Sequence, residues 1–270
     1  MASASPTQMD LLGMSHAISV LRALEPDAAV SHDSWATRAQ EPGFQPVGEL
    51  GGVALRAHLI PPRVDCRAVI QTVDGRATVA ASPALLEIIN AIDPQALLLS
   101  FLGGNEHSVL SLLNPAAAFD FVWPADSDVP LRPGHQPVSV AVVEAQLLGA
   151  LQQTLAQLTL IRVRHPGLRI VHVAPPPPQG NEARMRETPE VFGDLIARHG
   201  LMPLSIRLKY YGLYLDLLRR QLAPLRIELL GPPPASLDAQ GALQDALTLG
   251  CTHGNEAYGA LVLQQLRELT

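Results

Sequence analysis

ALLLSFLGGNEH, residues 96–107, decides how the chain is read. Ala96 to Phe101 is an apolar run with no polar face of its own, the pattern of a strand buried on both sides of a sheet. Gly103-Gly104 ends the run, and polar residues then enter at once with Asn105, Glu106 and His107. In a parallel sheet covered by helices, ligands and chemistry gather beyond the carboxyl ends of the strands. The end of this strongest strand is therefore where a site is expected.

Working outward, similar runs recur between helical stretches. Leu11-Leu12 leads into Gly13, and Ile18, Leu21 and Leu24 then fall at helical spacing. Residues 26–64 are rich in turn formers and are expected to hold one or two short strands, for example Val53 to Leu59. Ala68 to Val73 and Arg76 to Ala80 flank Asp74-Gly75, a dipeptide suited to a type I′ hairpin turn. Ser82-Pro83 opens a helix that runs to about Ala91. Phe119 to Val122 reads as a short strand and Val138 to Val163 as a long helix. Leu168 to Val173 is a strand stopped by four prolines. Two helices are expected over 181–222, divided near Gly200–Pro203, and then a strand at Arg226 to Leu230. A last amphipathic helix runs from Asn255 to Leu269, with Ala257, Ala260, Leu261, Leu263 and Leu266 as its inner face. Apolar strands alternating with helices imply an α/β fold: a mostly parallel sheet flanked by helices on both faces. No internal repeat or long linker divides the chain, so a single domain over 1–270 is expected. The strands ending at Gly13 and Gly103 are expected to be neighbours.

Composition narrows the classes of function. The 270 residues carry 19 Lys and Arg against 25 Asp and Glu, a formal net charge of −6. Without a basic cluster this is a poor match for nucleic acid. The apolar runs are far shorter than the roughly 20 residues of a membrane helix. Met1 to Asp10 has neither a basic flank nor an apolar stretch, so no secretory signal is read and a cytoplasmic location is expected. Two cysteines, Cys66 and Cys251, make neither a disulfide framework nor a cysteine zinc site. No cofactor or resident metal is expected.

Three strand ends carry candidate chemistry. Gly13-Met14-Ser15-His16 sits between a strand and a helix, where a serine hydroxyl points out of the sheet beside helix N–H groups. Taken alone, Ser15 reads as a helix cap. Gly103-Gly104-Asn105-Glu106-His107 brings an amide donor to the same rim, and its simpler reading is again a cap at Asn105. Thr252-His253-Gly254-Asn255 places an imidazole where it can act as general base toward Ser15. A metal site using His16, His107 and His253 is the weakest option, because no residues lie at close ligand spacing.

Together, in this order, the three segments resemble the blocks of the SGNH (GDSL-type) hydrolase superfamily. Gly13-Met14-Ser15 stands where that family has Gly-Asp-Ser, and Gly104-Asn105 stands in its Gly-x-Asn-Asp block. His253 stands in its terminal Asp-x-x-His block, with Asn255 and Tyr258-Gly259 following. Val171 to Pro178 and Leu208 to Leu225 are similar to the connecting strand and helix, so the resemblance spans nearly the whole chain. It implies a flavodoxin-like three-layer sandwich and a serine-dependent ester hydrolase or acyl transferase. Ser15 would be the nucleophile and His253 the base. Asn105 and Gly104 would serve the oxyanion, and His16, Glu106 and His107 would contact a small ester or acylated substrate.

The departures are specific. Met14 replaces the family's Asp, and Gly250 stands where the triad acid is usual. Asp245 and Glu256 are the nearest carboxylates in sequence, leaving an atypical triad or a Ser–His dyad. If no group replaces the acid, Gly250→Asp is expected to raise activity. The family's second-block glycine, a further oxyanion donor, has Gly51, Gly52 and Gly75 as candidates. The alternative is a catalytically impaired binding protein on the same scaffold.

Overall fold

The apolar run at residues 97–101 forms a strand with no exposed position, and the sheet is built around it. A computed structural model describes residues 6–25, 30, 31, 34 and 43–270. Residues 1–5, and most of the turn-rich stretch before the second strand, lie outside the described residues. The strands are β1 (Gln8–Gly13), β2 (Gln45–Leu50), β3 (Val53–Leu59), β4 (Ala68–Val73), β5 (Arg76–Ala81), β6 (Leu97–Phe101), β7 (Phe119–Asp120), β8 (Gln136–Pro137), β9 (Arg169–Val173), β10 (Glu228–Leu230), β11 (Thr248–Leu249) and β12 (His253–Gly254). The helices are α1 (Ala17–Leu24), α2 (Pro83–Asn90), α3 (Glu106–Ser111), α4 (Val140–Arg164), α5 (Glu182–Glu187), α6 (Gly193–His199), α7 (Leu204–Leu222) and α8 (Glu256–Arg267).

Six strands form the main sheet in the order β10-β9-β6-β1-β3-β2. All neighbours pair parallel except β2, which runs antiparallel to β3 at the edge. β1 and β6 are adjacent, with Gly13 opposite Phe101, so the turn after Gly13 and the loop at Gly103-Gly104 leave the sheet side by side. Strand alternation splits the core in two. Leu12, Leu98 and Ile170 face a cluster built with α2, α4 and α7. Leu11, Leu97, Leu99 and Val171 face a cluster built with α1 and α8. The sheet is thus mostly parallel and carries helices on both faces.

The β4–β5 hairpin turns at Asp74 and Gly75, both at positive φ as a type I′ turn requires. Two sequence readings need correction. Residues 181–222 hold three helices, not two, because the first stretch breaks at 188–192. Pro189 has no N–H for the helix ladder, and Glu190 adopts φ +53. The inner face of α8 is Tyr258, Gly259, Val262, Leu263 and Leu266, while Ala257 and Ala260 are exposed. Gly259 belongs inside because α8 crosses α1 so closely that a Cβ there would overlap the Ser19 carbonyl. The crossing therefore seats the bare glycine backbone directly against α1.

Candidate active site

β1 delivers the first side chains. Gly13 has no Cβ because Ala17 and Phe101 leave no room: the added atom would lie 2.6 and 2.8 Å from their Cβ atoms. The chain then turns through Met14, Ser15 and His16, with Ala17 N–H bonded to Met14 O at 3.1 Å and Ile18 N–H to Ser15 O at 3.1 Å. Ser15 is half-buried and does not cap α1; the cap position belongs to His16, whose side chain makes no capping bond either. Among the described residues Ser15 Oγ has no hydrogen-bond partner.

The His16 ring is 7% exposed and bridges the three candidate segments. Its Nε2 lies 3.0 Å from Asn105 Oδ1. Its ring centroid lies 4.9 Å from that of His253, tilted by 33°. Gly104 makes this possible: at φ +103 it carries no Cβ, and an added one would sit 2.5 Å from His16 Cδ2. Burial first, then the neighbouring His253 and His107, lower His16 to about 3, so the ring is neutral at ordinary pH. Asn105 occupies the cap position of α3, yet its side chain makes no cap and turns to His16 instead.

Glu106 and His107 are both tied into the fold, and Glu106 also lines the cleft beside Met14 and Gly103. The Glu106 carboxylate accepts from Gly104 N–H at 2.7 Å, Thr154 Oγ1 at 2.7 Å and Tyr214 OH at 3.2 Å. It fastens the glycine loop to α4 and α7. The same bond engages Gly104 N–H within the loop. His107 is 1% exposed and packs 5.0 Å from both Tyr211 and Tyr214. Burial lowers it to about 3.

His253 opens β12, which pairs with β11 across a tight turn at Gly250, Cys251 and Thr252. A carboxylate does reach it, but neither Asp245 nor Glu256 supplies it. Asp245 accepts from Asn181 Nδ2 at 2.6 Å, and Glu256 is exposed in the first turn of α8. The acid is Glu190, from the break between α5 and α6. Its Oε1 lies 2.8 Å from His253 Nδ1. Its Oε2 accepts from Cys251 N–H at 3.0 Å, Thr252 N–H at 3.2 Å and Thr252 Oγ1 at 3.1 Å. Burial alone would raise the Glu190 carboxyl. The His253 ring and the N–H and S–H of Cys251 outweigh it and hold the group at about 2. A carboxylate only accepts, so Nδ1 carries the hydrogen and the lone pair of His253 lies on Nε2. Among the described residues this buried Nε2 has no hydrogen-bond partner.

Gly250 is required by its surroundings. At φ +60 it makes the β11–β12 turn, and a Cβ there would overlap the Glu190 carboxyl carbon. The space beside it already holds a carboxylate from elsewhere in the chain. Gln179 Nε2 pins the turn by donating to Gly250 O at 2.6 Å, and buried Arg207 NH1 donates to Gln179 O at 2.6 Å. Gly250→Asp is therefore expected to damage the protein rather than repair it. Overpacking and the left-handed backbone together should cost about 2 kcal/mol or more. A chemical-denaturation midpoint as high as wild type would show that Glu190 does not occupy this space.

The glycine candidates for a further oxyanion donor lie elsewhere. Gly51 and Gly52 turn between β2 and β3, at the end of the sheet opposite the site, and Gly75 is at the hairpin tip. At the site rim, β3 runs on into Pro61 and Pro62, which have no N–H. A cleft of about 280 Å³ opens beside Met14 and Gly103, walled by Ile60, Pro61, Pro62 and Thr154 among others. A roomier hollow of about 460 Å³ between β4 and α4 contains no acid–base pair. Among the described residues no group of three His, Cys, Asp or Glu stands in position to hold a metal ion. No helix of the described residues is long and apolar enough to cross a membrane.

No protein-family model matches the sequence, and no curated protein matches it either. Solved structures do. The periplasmic domain of a lipopolysaccharide acetyltransferase from Salmonella ser. Paratyphi A is 10% identical with a TM-score of 0.46, over 98% of this chain and 84% of that one. Phospholipase A1 from Streptomyces albidoflavus is 10% identical with a TM-score of 0.43, over 97% of this chain and 100% of that one.

Proposed function

We propose that this chain is a divergent SGNH-type enzyme, a single flavodoxin-like domain that hydrolyses or transfers a small acyl group through an acyl-enzyme on Ser15. The observation that carries the reading is the Glu190–His253 pair. An ionised carboxylate holds Nδ1–H and leaves a buried, unpartnered lone pair on Nε2, the state a general base needs before it takes a proton.

In the proposed reaction Ser15 Oγ attacks the ester carbonyl carbon as its proton passes to His253 Nε2. The resulting imidazolium is stabilised by Glu190 through Nδ1–H. The Ser15 N–H and the Asn105 amide take the charge that develops on the carbonyl oxygen. His253 returns its proton to the departing alcohol as the C–O bond breaks, leaving the acyl group on Ser15. Water or a second acceptor, deprotonated by His253, then releases it. A non-catalytic binding role loses its main support, because the position vacated at Gly250 is filled by Glu190.

The deciding experiment is labelling with a fluorophosphonate probe, which reacts only with an activated serine. One adduct per chain, mapped to Ser15 and absent from Ser15→Ala, is the expected result. A wild-type protein that takes no label and leaves short aryl esters intact would sink the reading.

A further inference from the structure

We propose that His16 is the positioning residue of the oxyanion site: its Nε2–H holds the Asn105 side-chain oxygen and thereby turns the Asn105 amide nitrogen toward the reacting carbonyl. The inference rests on the esterase reading above.

Three observations converge on it. An amide oxygen only accepts, so at 3.0 Å from Asn105 Oδ1 the His16 Nε2 must carry the hydrogen. The amide nitrogen of Asn105 is then the donor left for a ligand. Next, Asn105 stands at the start of a helix, where an Asn side chain ordinarily bonds the helix N–H groups, and it does not do so. The local helix gives up that cap for the bond to His16. Finally, the loop is shaped around the imidazole. Gly104 at φ +103 leaves a gap in which a Cβ would lie 2.9 Å from His16 Nε2 and 3.2 Å from Pro175 Cβ. Any other residue at 104 would push the ring off Asn105.

The arrangement needs His16 neutral. The charged and titratable groups facing it are His253, His107 and Glu190. When His253 takes the serine proton, a second cation 4.9 Å away would oppose the transfer. A buried ring that stays uncharged, with its Nδ1 unpartnered, does not. The site also has reason to depend on a well-aimed amide. The neighbouring rim after β3 presents Pro61 and Pro62, whose nitrogens have no hydrogen to offer.

The test is a double-mutant cycle on aryl acetate hydrolysis with thermal melts alongside. His16→Phe keeps a ring of similar size and removes the donor. It is expected to lower kcat about 10²- to 10³-fold, with KM nearly unchanged, as loss of one oxyanion donor does. Asn105→Ala should show a similar loss, and the double variant should be no worse than Asn105→Ala alone. His16→Gln, which restores an N–H donor, should recover most of the activity. ¹⁵N NMR of the wild-type imidazoles gives a reading independent of turnover: His16 should remain a neutral Nε2–H tautomer at pH 5. Fully additive losses, unchanged activity in His16→Phe, or an Nδ1–H tautomer would overturn the inference while the esterase reading stands. A wild-type protein inert to esters and to serine probes would overturn both.

Discussion

Ser15→Ala is expected to lower turnover of short aryl esters on the order of 10⁶-fold, the scale on which nucleophile deletion acts in serine hydrolases. Alanine at 15 removes the hydroxyl that would carry the acyl group and leaves the backbone of the turn in place. The loss should therefore fall on kcat, with the melting temperature close to wild type. The pH profile of the wild type gives a companion signature. An acid limb in the range above about pH 4 should arise outside the Glu190 carboxyl. Glu190, held at about 2, is ionised throughout that range, so the acid limb does not belong to it. Hydrolysis surviving at the wild-type rate in Ser15→Ala would mean that another group does the chemistry.

Glu190→Gln should come next in size, with kcat reduced about 10⁴-fold, as when an orienting acid of a serine triad becomes its amide. The amide retains the size of the carboxyl group but can present an N–H to His253 Nδ1. This favours the tautomer with hydrogen on Nε2, which cannot accept from serine. The substitution also weakens the Oε2 contacts to the Cys251 and Thr252 amides, so a lower melting temperature is expected with it. The sign with pH follows from the depressed value. The stability contributed by Glu190 is present above its ordinary carboxyl value of 4.5 and is lost as pH falls through about 2. In Glu190→Gln that acid-side loss should disappear from the stability profile. Equal kcat in Glu190→Gln and wild type would leave His253 without a partner acid and return the site to a dyad.

Much of this was legible in residue order. The β6 run, the Asp74-Gly75 hairpin, β3 and the adjacency of the Gly13 and Gly103 turns follow from apolar runs and turn chemistry, which are local properties. The meeting of the Ser15–His16 turn with Asn105 and His253 follows from strand ends sharing one rim. Glu190 was not legible. It lies 63 residues before His253 and reaches it only because Pro189 breaks a helix and a left-handed residue turns the carboxylate back. No local rule couples those two segments. One trace was available: a glycine where a carboxylate is usual leaves a hole, and the hole demanded a side chain from elsewhere. The partners of Glu106 were hidden for the same reason: the Thr154 and Tyr214 hydroxyls arrive from distant helices.

The seating of Gly259 against the Ser19 carbonyl has a consequence for motion. Backbones in direct contact, with no side chain between them to rearrange, move together. Ser15 and His16 are the lead-in to α1, and His253 precedes α8 by three residues, so nucleophile and base travel with one rigid body. Glu190 is tied to the same frame: its carboxylate holds the Cys251 and Thr252 amides, and Cys251 packs with Leu112, Met185, Ile196 and Leu201 in one small cluster. The β11–β12 turn thus couples that cluster to the α1–α8 pair, so the proposed acid, base and nucleophile share one mechanical frame.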